Sequence, residues 1–140
     1  MTNNSEIVRA WSDLYNSREW DKWLSMVSPD IEFIDLAQGV TAKGRDEMLA
    51  YGKGWSDAFS DAAYQEHRLR DCDGVVVFQF VGAGLNDGAF GPFPATGKRA
   101  AFPVTNVVEL DGEGRIARVE QLYDRLSILT QLGHIQLPEG

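Results

Sequence analysis

The stretch 94-PATGKRAAFPVTNVVELDGEGRIARVEQLYDRLSILTQLG-133 decides the fold. From Ala100 to Leu110 apolar residues recur at every second position, the period of a strand with one buried face. Phe102, Val104, Asn106, Val108 and Leu110 share that face, so Asn106 is a polar side chain in an apolar row. Asp111-Gly112-Glu113-Gly114 reads as a tight turn. A second strand over Arg115–Tyr123 then places Ala117, Val119, Gln121 and Tyr123 on one face and Arg118 and Glu120 on the other. Leu126, Ile128, Leu129 and Leu132 follow at helical spacing, and Gly133 is the expected C-cap. Asp124 stands between strand and helix, a position that suits an active carboxylate and equally a plain helix N-cap.

Working outward, Asn4 or Ser5 is expected to cap a helix that carries Ile7, Val8, Trp11, Leu14 and Tyr15 on one stripe. A short second helix carries Trp20, Trp23, Leu24 and Val27 and is broken by Ser28-Pro29-Asp30. Ile31–Leu36 reads as a strand that puts Asp35 on the side of Phe33, Gly39–Gly44 as a loop, and Arg45–Phe59 as a third helix weakened by Gly52 and Gly54. Ala63–Arg70 reads as an amphipathic strand with His67 in phase with Ala63, Gln65 and Leu69. The run Val75–Gly82 (VVVFQFVG) is apolar on both faces, hence a central strand or one at an interface. Gly82–Gly97 is expected to be a long loop anchored by Phe90 and Phe93.

At 140 residues, 44% hydrophobic and 24% charged, the chain is expected to form one domain, residues 1–140. The polar start MTNNSEIVRA has no signal-peptide pattern and no apolar run reaches the length of a membrane span, so a cytoplasmic location is expected. A net charge of −8 argues against nucleic acid and anionic membrane as partners. Cys72 is the sole cysteine and there are two histidines, so neither an internal disulfide nor a Cys/His metal site is expected.

Three helices interleaved with one strand, followed by antiparallel hairpins and a short helix, predict an α+β fold. Its strongly curved, mostly antiparallel sheet forms a cone, with the three helices of the N-terminal half on one face and an apolar cavity between the layers. With one helix layer, the other face of the sheet needs a partner, and a homodimer is expected. The opening with "IEFIDLAQG" (31–39), "PATGKR" (94–99) and above all "YDRLSILTQLG" (123–133) resemble the SnoaL-like polyketide cyclases, within the superfamily of ketosteroid isomerase and nuclear transport factor 2.

The resemblance implies acid/base chemistry without a metal or organic cofactor. Asp124 matches the acid/base of the cyclases' aldol closure, Asp35 the region of the isomerase's general base, and Asn106 the place of its hydrogen-bonding acid. Two departures accompany it: Asn86-Asp87 and Val119-Glu120-Gln121 stand where cyclases often carry histidines, and Trp11 where the isomerase has its oxyanion-hole tyrosine. Removing a proton beside a carbonyl needs a carboxylate in an apolar pocket and a fixed donor for the enolate oxygen; ketosteroid isomerase is the standard case. Asp124, Asp35 and Asn106 are the expected catalytic residues. Gln121 and Tyr123 are further donors, and Trp11, Tyr15, Phe33, Trp55 and Phe102 the walls. The implied substrate is a hydrophobic, carbonyl-bearing polyketide- or terpenoid-like molecule, cyclised or isomerised. The same carboxylates would also serve a hydrolase or dehydratase, and the fold would equally serve a noncatalytic ligand-binding or dimeric interaction module.

Overall fold

The structure, a computed structural model, describes residues 3–138. Its order is α1 (Asn4–Asn16), α2 (Trp20–Ser25), β1 (Val27–Asp35), β2 (Val40–Lys43), α3 (Gly44–Ala58), β3 (Ala63–Asp71), β4 (Val75–Leu85), β5 (Arg99–Leu110), β6 (Ile116–Tyr123) and α4 (Arg125–Leu132). The six strands form one sheet in the order β2-β1-β6-β5-β4-β3. Only β1 and β6 run parallel, as the intervening helices and hairpins require; the other neighbours are antiparallel. The architecture is the expected α+β one, with α1 packed on β3 and β4, α3 on β1 and β2, and α4 on β5.

The hairpin that led the reading is present. Asn106 pairs with Gln121, Val108 with Val119 and Val104 with Tyr123. A register shift between Glu109 and Leu110 sets Ile116 fully buried opposite Leu110. Beyond Val104 the edge of β5 runs past β6, and α4 covers it: Gln131 accepts from the Ala101 N–H at 2.9 Å and donates to its carbonyl at 3.1 Å. The "TQLG" segment thus closes an edge that would otherwise be open.

Four local readings are corrected. Asn3 caps α1, its side chain accepting from Glu6 N–H at 2.8 Å, where Asn4 or Ser5 was expected. Val27 belongs to β1 and not to the second helix, because Ser28-Pro29-Asp30 lies in a register shift of the β1–β6 pairing, where proline's missing N–H costs no ladder bond. The expected loop Gly39–Gly44 contains β2, an edge strand paired with Glu32–Asp35. In β3 a bulge between Gln65 and Arg68, with Glu66 at φ 53°, reverses the alternation. Tyr64 before it and His67 after it both turn inward, stacking on Phe80 and Phe78. His67 is thereby bonded to buried Ser12 at 2.9 Å.

Gly52 weakens α3 as a helix but serves packing. A Cβ there would come 2.7 Å from the ring of buried Trp23, and the Gly52 carbonyl accepts from Tyr15 Oη at 3.0 Å. The bare backbone lets α2 and α1 close against α3, at a cost of ~1 kcal/mol of helix propensity relative to alanine. Among the described residues no helix is long and apolar enough to cross a membrane.

Candidate active site

A cavity lies between the helices and the inner face of β1, β4, β5 and β6. Two glycines of β4 thin its floor. A Cβ on Gly82 would press on the Phe102 ring at 3.1 Å and one on Gly84 would meet Phe59 at 2.8 Å, so both rings lie directly on the strand. Trp55 stands over Phe102, Phe59 and Tyr123 at centroid distances of 6.0, 6.3 and 5.4 Å. With a volume of about 50 Å³, the cavity is a slot between ring faces.

The polar wall is a cluster around Asp35. Alternation along β1 turns Ile31, Phe33 and Asp35 inward, and Asp35 is fully buried. Its Oδ1 accepts from the Gln38 N–H at 2.9 Å, which shapes the turn into β2. Its Oδ2 accepts from Tyr51 Oη at 2.5 Å, Tyr123 Oη at 2.7 Å and Gln38 Nε2 at 3.0 Å. Gln121 Nε2 donates to Tyr51 Oη at 2.8 Å, and Gln38 Nε2 to Tyr123 Oη at 2.7 Å. Tyr51, Tyr123 and Gln121 line the slot, with Asp35 immediately behind the two phenols.

Burial raises the Tyr51 pKa well above 10, and the charge and hydrogen bond of Asp35 raise it further. Tyr123 moves the same way, through burial first and then its bond to Asp35, with Gln38 and Arg125 opposing. Both phenols are therefore held as O–H donors at neutral pH.

The other expected site residues fall into four places. Tyr15, Phe33, Trp55 and Phe102 line the slot. Trp11 does not: it is buried beneath, stacked on Trp23 at 5.8 Å, and the indole N–H groups of both lack a partner. Asn106 is fully buried one inward step past Val104, a slot residue, and opposite Gln121. Neither Oδ1 nor Nδ2 of Asn106 is hydrogen-bonded within the protein, a cost of about 1–3 kcal/mol per group when dry. Asp124 is exposed and caps α4, accepting from Ser127 N–H at 3.0 Å; it is not part of the cavity wall. Asn86 is a structural knot that ties Ala58, Gly88 and Thr96.

Tyr51 and Gln38 were not singled out from the sequence. Tyr51 lies one helical turn before Trp55, a spacing that places both on one face of α3 and could have revealed it. Gln38 reaches Asp35 only through the turn. Among the described residues no three His, Cys, Asp or Glu side chains are grouped to hold a metal ion.

Residues 5–132 match the family model described as SnoaL-like polyketide cyclase. The chain belongs to that family. Its fold is shared by a candidate SnoaL-like polyketide cyclase from Jannaschia sp. CCS1, 19% identical with a TM-score of 0.85, covering 95% of this chain and 93% of that one. A candidate polyketide cyclase from Pseudomonas putida KT2440 is 19% identical, with a TM-score of 0.84 and coverage of 94% and 98%. A protein with a ketosteroid isomerase-like fold from Catenulispora acidiphila DSM 44928, in complex with trimethylamine, is 21% identical, with a TM-score of 0.79 and coverage of 95% and 98%. No match was found among curated proteins.

All four tyrosines of this family member, Tyr15, Tyr51, Tyr64 and Tyr123, have raised pKa values, burial being the first cause in each. A raised phenol pKa contributes stability that is complete below the unfolded value of about 10 and is lost as pH rises above it. Alkaline titration of the folded protein should therefore show almost no phenolate absorbance at pH about 10, where free tyrosine is half ionised. Phenolate should then appear together with loss of the circular dichroism signal. Phenolate forming near pH 10 in the folded protein would contradict the described burial.

Proposed function

We propose that this protein is a cofactor-independent enzyme that moves a proton beside the carbonyl of a flat, apolar ring compound, as a cyclase or isomerase. The observation that carries this reading is a fully buried carboxylate held by two phenols that themselves face an aromatic slot. When substrate enters, one phenol turns from Asp35 to the carbonyl oxygen, leaving Oδ2 with one donor fewer. The α C–H bond breaks, its proton passes to Asp35, and its electron pair moves into the enolate, whose oxygen accepts the phenol O–H. Reprotonation at another carbon gives an isomer, and attack of the enolate carbon on a second carbonyl closes a ring.

Asn106 is assigned a further donor role at the inner end, since it pairs with the slot residue Gln121 and its buried amide has no partner among the described residues. Asp124 is assigned the capping role alone, because its carboxylate is exposed and directed at Ser127. One observation favours a noncatalytic binding module instead: every donor around Asp35 is already satisfied. That reading predicts binding without turnover.

We also propose that the protein forms a homodimer through the outer face of the sheet. Val77, Val81, Val107 and half-exposed Leu122 lie on strand positions that alternate with the core row, and no helix of the described chain covers them. Light scattering at micromolar concentration should give twice the chain mass of 15.6 kDa. A single chain mass would refute the dimer.

The catalytic reading is tested by deuterium exchange at the α-carbon of 2-tetralone in D2O, followed by proton NMR. The wild-type protein should accelerate exchange, and Asp35→Asn should reduce that acceleration by about 10²–10⁴-fold. Asp124→Asn, which keeps a capping oxygen, is the comparison. A large loss there with Asp35→Asn near normal would transfer the chemistry to Asp124. Binding without exchange would establish the module.

A further inference from the structure

Five arginines of the described residues are half-buried, and four of them have partners. Arg18 and Arg45 bond main-chain carbonyls, and Arg115 and Arg118 bond carboxylates. Arg125, the first residue of α4, forms no hydrogen bond or ion pair among the described residues, and its Nε is buried without a partner. Its guanidinium lies 6.0 Å from the Phe90 ring centroid and 5.9 Å from that of Phe93. His134 packs on the same Phe93 ring at 5.0 Å, and its Nε2 is likewise buried and unpartnered.

The cluster adjoins the slot. Phe90 touches Trp55 and Phe59 at 5.4 and 6.0 Å, both of them slot walls, and Arg125 follows Tyr123 by two residues. An acidic chain with a net charge of −8 has carboxylates to spare, so a half-buried guanidinium unpaired among the described residues stands ready for an anion from outside. A planar carboxylate fits a guanidinium fork between two ring faces, whereas a tetrahedral dianion would need more donors than this pair offers.

We infer that Arg125, with His134 beside it, is a carboxylate-binding subsite at the edge of the slot, so that the substrate is a flat apolar ring bearing a carboxylate. This rests on the reading of the slot as the substrate site. It makes the chain selective: the aromatic walls take the ring, and Arg125 fixes which edge faces Asp35.

The test is calorimetric titration with 2-naphthoate and with its uncharged methyl ester. The wild-type protein should bind 2-naphthoate at least about tenfold more tightly than the ester, the usual worth of a charge-assisted hydrogen bond. Arg125→Met, which keeps the apolar stem over the phenylalanines, should reduce that preference to about twofold or less. Arg125→Lys, retaining the charge without the fork, should restore part of it, and an unchanged melting temperature shows that each variant is folded. Equal binding of acid and ester by the wild type, or a preference that survives Arg125→Met, would overturn the subsite and leave the slot reading intact. Binding of neither compound would overturn both.

Discussion

Burying a carboxylate costs several kcal/mol unless hydrogen bonds replace its water, and the fold answers that constraint at Asp35. The replacing donors come from three separate elements: the turn that holds Gln38, helix α3 through Tyr51, and strand β6 through Tyr123. One oxygen atom thereby fixes how α3 sits over the junction of β1 and β6, the single parallel pair in the sheet. Loss of any one donor loosens the other two, since they share Oδ2; Gln38 also donates to Tyr123, and Gln121 braces Tyr51.

The slot depends on the same economy of atoms. Glycines at 82 and 84 remove side chains where Phe102 and Phe59 must lie flat on β4, and Gly52 does so where Trp23 meets α3. Aromatic rings then fill the space those absences create, and Trp55 forms the lid of the stack. The result is an apolar site with its few polar atoms concentrated on one wall, the arrangement in which a phenol or carboxylate acts most strongly on a bound carbonyl.

Much of this was legible in the sequence because period-2 alternation is strong in β5 and β6, and the Asp-Gly turn between them leaves little freedom of register. Asp35 was recognisable for the same reason, one step beyond Phe33 in an inward row. Elements whose geometry depends on long-range pairing were not legible: β2 is four residues that become a strand only against β1, and the bulges in β1 and β3 are register shifts against β6 and β4. Gln38 stayed hidden because it breaks no local pattern, and the one sign of Tyr51 was its helical spacing from Trp55; their bonds to Asp35 appear only in the fold. Asp124 had two readings in the sequence, and the structure shows the capping geometry, since the β6 exit turns its side chain back onto Ser127. Arg125, next to it, lacked any local sign that its charge would have no partner among the described residues.

The claim on which the account rests is that an apolar ring enters the slot and brings its oxygen to the Asp35 cluster. A crystal structure of the protein with 2-naphthol, the aromatic counterpart of enolised 2-tetralone, addresses it directly. The naphthalene ring is expected in the slot against Trp55 and Phe102, with its hydroxyl within about 3 Å of Tyr51, Tyr123 or Asp35. A ring bound outside the slot, or one inside it with the oxygen directed at the mouth and the Asp35 cluster untouched, would contradict it.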